Sequence, residues 1–356
     1  MPSTLKMIVK TYYLETNFSF RGELMKNGIS YSVIACVLAG PTLVTAAETP
    51  SANIYGRLHF TLSDVKGEDI ALNNAGHRVG IKGEGTIDNG MEFFYKLETQ
   101  YNNDDEFGRR TTVGPDPTSP SSTSSTDLAD VSVRHAHVGL KGSMGKVTVG
   151  RQNNPLNATY TADYFEANSG AFEQTPFRIS HAVVAHTATY NGLSGYAGII
   201  TEGNLSDEDN EDFDGGVIGG AFSMGDFTIN AGYFETDFTS VSSDKTEFED
   251  WSVGLSYTMG ELYFGANVEQ SETTDTSGST VDVDVVDLAL LYNHGKLVCG
   301  LGYSTQDPDN GDKAEQILLG AYYNLGGNND VYVELAEQNS PAGNGDNIVL
   351  GYRIKF

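Results

Sequence analysis

Over residues 346–356 the chain alternates strictly. Ile348, Leu350, Tyr352, Ile354 and Phe356 fall on one face, and Asn347, Val349, Gly351, Arg353 and Lys355 on the other. Side chains of an extended strand alternate with period two, so this segment is a strand with one apolar and one largely polar face. The pattern recurs upstream. Trp251, Val253, Leu255, Tyr257 and Met259 oppose Ser252, Gly254, Ser256 and Thr258, and Leu262, Phe264, Ala266 and Val268 form another apolar stripe. Such segments of about ten residues, separated by turns, are the signature of a transmembrane β-barrel with lipid outside and water inside.

The predicted fold class is all-β, a 16-stranded antiparallel transmembrane β-barrel. Its strands are read at 52–64, 77–87, 91–103, 131–143, 146–155, 181–191, 194–203, 214–224, 226–237, 248–259, 261–272, 283–294, 296–306, 314–325, 330–339 and 346–356. Connections alternate between short ones with Gly or Asn where positive φ is needed, such as 143–145, 259–260 and 294–295, and longer polar ones, such as 104–130 and 156–180. Short turns on one rim and long loops on the other fit an outer-membrane barrel, and a soluble β-sandwich has no reason to alternate this way. Strands 283–294 and 314–325 carry extra apolar residues on the inner face, such as Leu291 and Leu318. Packing beneath an infolded loop and a shifted register both explain them.

A closed sheet absorbs the whole 356-residue length as one domain, where a soluble chain would split. Abundant Gly with Tyr 19 and Phe 17 suits tight turns and aromatic girdles. The formal charge of −27 argues against nucleic acid as a partner. It fits an acidic outer surface, a preference for cations or a salty habitat alike.

The segment 25–47 reads as a secretory signal peptide: Lys26, an apolar run from Ile29 to Val44, and a small-residue cleavage site ending at Ala46 or Ala47. Residues 1–24 are read as an over-extended start, and 48–356 as a single barrel. With Cys36 removed, Cys299 is unpaired. It shares a face with Leu297 and Leu301 and is read as lipid-facing. Export without a membrane-length helix points to the outer membrane of a Gram-negative bacterium.

Several blocks resemble the general porin family of Gram-negative bacteria: Ile54-Tyr-Gly-Arg57, His77 to Glu84 with Gly90 to Glu98, Arg134 to Gly142 with Gly145 to Gln152, and the terminal Phe356. The resemblance implies a homotrimer of 16-stranded barrels, each narrowed by an inward-folded third external loop. Here that loop is 156–180. It carries Asp163, Glu166 and Glu173 among aromatics, and has Tyr164-Phe-Glu-Ala-Asn-Ser-Gly170 where family members often have Pro-Glu-Phe-Gly-Gly. By motif position the resemblance puts the basic wall of the constriction on Arg57, Arg78, Arg134 and Arg178, facing the acids Asp163 and Glu166. Opposed charges across a narrow wet waist create a transverse field that orients polar solutes and disfavours apolar ones.

Parity puts Arg57 and Arg78 on the polar face beside Tyr55, His59 and Lys82. Arg134 shares parity with the outward-reading Ala136, Val138 and Leu140, so parity and resemblance disagree there. Each of these charges has a plainer alternative in the lumen wall, the rim or a solvated loop. His135, His137, His181 and His186 lack acidic or cysteine partners at zinc spacing, so no metal is expected. The acidic runs 206–212 and 307–312 do not meet the calcium-loop pattern. No nucleophile elbow, phosphate loop or redox cysteine pair is present, so neither catalytic residues nor a cofactor is expected.

The reading is a porin for passive diffusion of small hydrophilic solutes and ions, weakly cation-selective, seated in outer-membrane lipid. Phe356 is expected to be read by the barrel-insertion machinery. The alternatives are a substrate-selective channel for sugars or organic anions, a surface adhesin on the same barrel, and an outer-membrane enzyme, whose Ser/His/acid set is not found.

Overall fold

In the computed structural model residues 50–87, 90–101, 131–168, 172–201, 213–239, 245–275, 277–340 and 343–356 are described. The expected over-extended start (1–24) and signal peptide (25–47), the connection 104–130 and the acidic run 206–212 lie outside them. The described strands are β1 (Asn53–Val65), β2 (Ala71–Asn74), β3 (His77–Thr86), β4 (Glu92–Tyr101), β5 (Val131–Gly142), β6 (Gly145–Asn153), β7 (Arg178–Ile179), β8 (Ala182–Thr187), β9 (Leu193–Ile200) and β10 (Gly215–Met224). They continue with β11 (Phe227–Thr239), β12 (Lys245–Met259), β13 (Leu262–Thr274), β14 (Thr280–His294), β15 (Leu297–Pro308), β16 (Ala314–Gly326), β17 (Asn329–Ser340), β18 (Gly343–Asn344) and β19 (Asn347–Lys355).

All pair antiparallel with their neighbours, and β1 pairs with β19 (Arg57↔Lys355 to Val65↔Asn347), which closes the sheet. β2 and β3 both pair with β1, β7 and β8 both with β6, and β18 and β19 both with β17. Each of these couples is one interrupted barrel strand, so the 19 segments form a 16-stranded barrel. Closure matters because lipid offers the backbone no hydrogen-bond partner.

The alternation read from sequence becomes an outer apolar belt. Leu58, Phe60 and Leu62 on β1, Leu255 and Tyr257 on β12, and Leu350 and Tyr352 on β19 are exposed. Cys299 is exposed on the same belt. The opposite face holds buried polar groups: His59, Asp250, Ser252, Glu269, Asp287 and Glu334. Gly260 and Gly295 take φ +61° in two of the tight turns. The strand after the long connection begins at Arg178, earlier than expected, and breaks at His181, which adopts φ 51°.

Candidate functional site

The segment 154–177 joins β6 to β7. Asn154 caps a short 3-10 turn, Pro155–Thr159, by accepting from the Leu156 N–H at 3.1 Å. Leu156 is fully buried in a cluster with Ile179, Val184, Val217 and Phe234. From this root the segment makes contacts with residues of β12–β17, β1 and β19.

The sequence prepares a bed for it. A Cβ at Gly254 would stand 1.9 Å from the Thr159 carbonyl oxygen, and one at Gly302 would stand 2.6 Å from the Phe165 ring. Phe165 packs with Leu318, Tyr322, Tyr332 and Ala336. Leu318 therefore lies beneath the segment in an unshifted register, opposite Gly302.

Three wall carboxylates hold the segment's backbone. Glu334 accepts from the N–H groups of Glu166 (2.7 Å), Ala167 (3.1 Å) and Asn168 (2.8 Å), from the Asn168 side chain (3.1 Å) and from the Tyr322 hydroxyl (2.7 Å). Asp287 accepts from the Phe172 N–H at 3.3 Å. Glu269 Oε1 accepts from the Tyr160 hydroxyl (2.9 Å) and the N–H groups of Gln174 (3.0 Å) and Thr175 (3.2 Å). Charge-assisted bonds of this kind are about twice as strong as neutral ones.

The arginines gather on the facing wall. Arg57 and Arg78 are cross-strand partners on β1 and β3. Arg78 lies within electrostatic reach of Arg57, Arg134 and Arg178. Arg57 donates to the Ala75 carbonyl at 3.0 Å, and its guanidinium stands 3.6 Å from the Glu166 carboxylate. Arg178 lies over the Phe177 ring at 5.1 Å. The Nε atoms of Arg78 and Arg178 are buried and make no hydrogen bond.

Arg134 answers the conflict between parity and resemblance. Glu98 pairs with His135 and Thr99 with Val133, so Arg134 is the extra residue of a β-bulge. A bulge re-aims side chains. Here Arg134 and His135 both reach the inner face, where Arg134 donates to Glu98 at 2.8 Å and also to Gln100.

Glu166 meets Arg353 as well as Arg57, and Arg353 also bonds Asp330 at 3.0 Å. Burial raises the Glu166 carboxyl, but Arg353 and Arg57 outweigh it and hold it below the usual carboxylate range. Asp163 hydrogen-bonds Glu173. Burial, then Asp163, Glu269 and Asp287, push Glu173 up to about 9, so at neutral pH the Asp163–Glu173 pair shares a proton. Arg151 donates to the Val133 carbonyl and the Ser180 hydroxyl.

Phe356 is exposed on the outer belt, and its backbone exchanges hydrogen bonds with Gly56 at 2.9 and 3.1 Å. Sequence reasoning missed Glu98, Glu269, Asp287, Glu334 and the pairing of Arg353. The signal available was acidic residues at inner-face parity in the middle of strands.

A family model described as Gram-negative porin matches residues 32–343. No curated protein matches the chain. Among solved structures, the chain resembles an anion-selective porin from Comamonas acidovorans (18% identity, TM-score 0.68, covering 86% of this chain and 100% of that one). It also resembles OmpF of Salmonella typhi in complex with daunomycin (18%, TM-score 0.67, 86% and 97%). A third is in-vitro folded OmpT, an outer membrane protein of Vibrio cholerae, in trimer form (17%, TM-score 0.65, 87% and 100%). At these identities the likeness concerns the fold.

Proposed function

The chain belongs to the Gram-negative porin family and is an outer-membrane channel, not an enzyme; from that premise we propose that it passes small hydrophilic solutes and ions by passive diffusion through a waist between segment 154–177 and the arginine wall. The observation that carries this is the approach of Glu166, on the segment, to Arg57 and Arg353 on the wall. That contact anchors the segment beside the arginine wall, which supports a reading with segment acids and wall cations on opposite sides of the adjacent waist. Guanidinium suits such a wall because pH does not neutralise it. The segment is the third external loop in this reading, folded inward.

The same reading includes a homotrimer, supported by the trimer form of the Vibrio relative, and recognition of Phe356 by the barrel-insertion machinery. It includes weak cation selectivity. The formal charge of −27 concentrates cations at the mouth, and the arginine wall opposes this over a shorter path. Mouth charges are screened beyond roughly 8–10 Å at ordinary salt, so the selectivity is strongest at low salt.

The test is the reversal potential in planar bilayers under a potassium chloride gradient. Neutralising Arg57 and Arg78 to Gln increases cation selectivity, and Asp163→Asn with Glu166→Gln weakens it. If both double variants leave the potential unchanged, these residues do not line the waist.

A further inference from the structure

Glu98, on β4, stands among the cations of the described β3–β7 wall. It is 5% exposed, and four side chains converge on it. Arg134 Nε donates to Oε1 at 2.8 Å, and the Tyr55 hydroxyl donates to Oε2 at 2.8 Å. Lys96 Nζ stands 3.4 Å from Oε2, and His135 Nε2 stands 3.9 Å from Oε1. Lys96 and Lys82 also lie over the Tyr55 ring at 5.7 and 5.1 Å. The bulge that turns Arg134 inward falls at Glu98 itself. Without a carboxylate there, an inward-turned guanidinium among Arg57, Arg78 and Arg178 would be repelled from the wall toward the ion path.

We infer that Glu98 is a specificity-determining and positioning residue of the pore: it cancels one wall cation and holds Arg134 against the sheet, leaving Arg78 and Arg178 as the anion-attracting charges of the waist. The inference rests on the channel reading above. It explains why Arg78 and Arg178, and not Arg134, are left with unpartnered guanidinium nitrogens. It also makes the sign of selectivity depend on one buried carboxylate on the basic side as well as on the loop acids.

The size of the effect follows from Coulomb's law. A unit charge roughly 6 Å from a permeating ion in water changes that ion's local concentration about three-fold. Screening at 0.1 M potassium chloride cuts this to about two-fold for each ion, in opposite senses, so Glu98→Gln raises the chloride-to-potassium permeability ratio about four-fold there, and less at 1 M. The cycle with Arg134→Gln reads the positioning role. In the wild-type background Glu98 holds Arg134 against the sheet, away from the ion path, so Arg134→Gln lowers the ratio by less than Glu98→Gln raises it. In the Glu98→Gln background Arg134 is free, so the same substitution removes most of the gain.

Equal effects of Arg134→Gln in both backgrounds would show that Glu98 acts by its own charge alone, and overturn the positioning role. An unchanged ratio in a conducting Glu98→Gln channel would overturn the inference entirely. If Glu98→Gln yields no folded barrel on unheated gels, Glu98→Asp is read in its place. Its shorter carboxylate reaches Arg134 less well, and an intermediate rise in the ratio is expected. A wild-type ratio in Glu98→Asp would count against the inference. Failure of the wild-type protein to conduct would instead refute the channel reading itself.

Discussion

Replacing Glu334 by Gln tests whether the carboxylate rack fixes segment 154–177. The side chain keeps its shape and one acceptor oxygen but exchanges the other for an NH2 group. Oε2 now receives the Asn168 N–H at 2.8 Å, the Ala167 N–H at 3.1 Å and the Asn168 side chain at 3.1 Å. An amide placed there would meet donors with donors. A buried donor left unmatched costs about 1–3 kcal/mol, so the two backbone groups alone lose about 2–6 kcal/mol. The rest of the segment keeps its anchors at Glu269 and Asp287, so opening is confined to the stretch around Glu166–Asn168. At 1.4 kcal/mol per factor of ten, the lower bound predicts amide exchange there at least about 30-fold faster. Hydrogen exchange followed by mass spectrometry on the folded, detergent-solubilised protein reads this directly, with peptides from β12–β14 as the unchanged reference. Single-channel records of the variant should also show added open-channel noise. Exchange at 166–168 within a few-fold of wild type, with a quiet current, would refute the reasoning.

Other perturbations have definite outcomes. Gly302→Val forces a side chain into the Phe165 ring, whose contact with even a Cβ would be 2.6 Å. It should lower the temperature at which the folded band is lost on gels, and Gly295→Ala, in an open turn, should lower it less. Glu173 has its ordinary carboxyl value of 4.5 raised to about 9. The unfolded chain therefore releases this proton from about pH 4.5 while the folded segment keeps it, so stability falls as pH rises from about 4.5 to 9 and then levels off. Glu173→Gln should remove that part of the pH profile of thermal unfolding. Deletion of Phe356 should reduce folded trimer in outer membranes, measured on unheated gels, while the same truncated chain still refolds in detergent.

The barrel was legible because period-two alternation is imposed by lipid on one side and water on the other, residue after residue. Trp251 to Met259 and Ile348 to Phe356 fell on the expected face, and most strand bounds moved by only a few residues. The interruptions were less legible. The bulge at Arg134 adds one residue to a strand whose alternation otherwise reads outward, and nothing local in Arg134-His-Ala-His137 marks it. The basic wall came from resemblance and parity together. Its acidic counterpart was harder to read because it is split by function. Glu166 faces the arginines, whereas Asp163 hydrogen-bonds Glu173. Glu269, Asp287 and Glu334 come from separate strands, and their role as backbone acceptors depends on where segment 154–177 runs. Gly254 and Gly302, the residues that make room for it, read as ordinary strand glycines until that path is known.

The dependence of single-channel conductance on potassium chloride concentration tests the central claim of passive diffusion most directly. A water-filled pore without a tight solute site has no binding step to saturate. Wild-type conductance should rise in near proportion to salt from about 0.1 to 3 M, and millimolar sugars or organic anions should not block it. A conductance that saturates within that range, or falls on adding one such solute at millimolar concentration, would contradict the account and favour a substrate-selective channel.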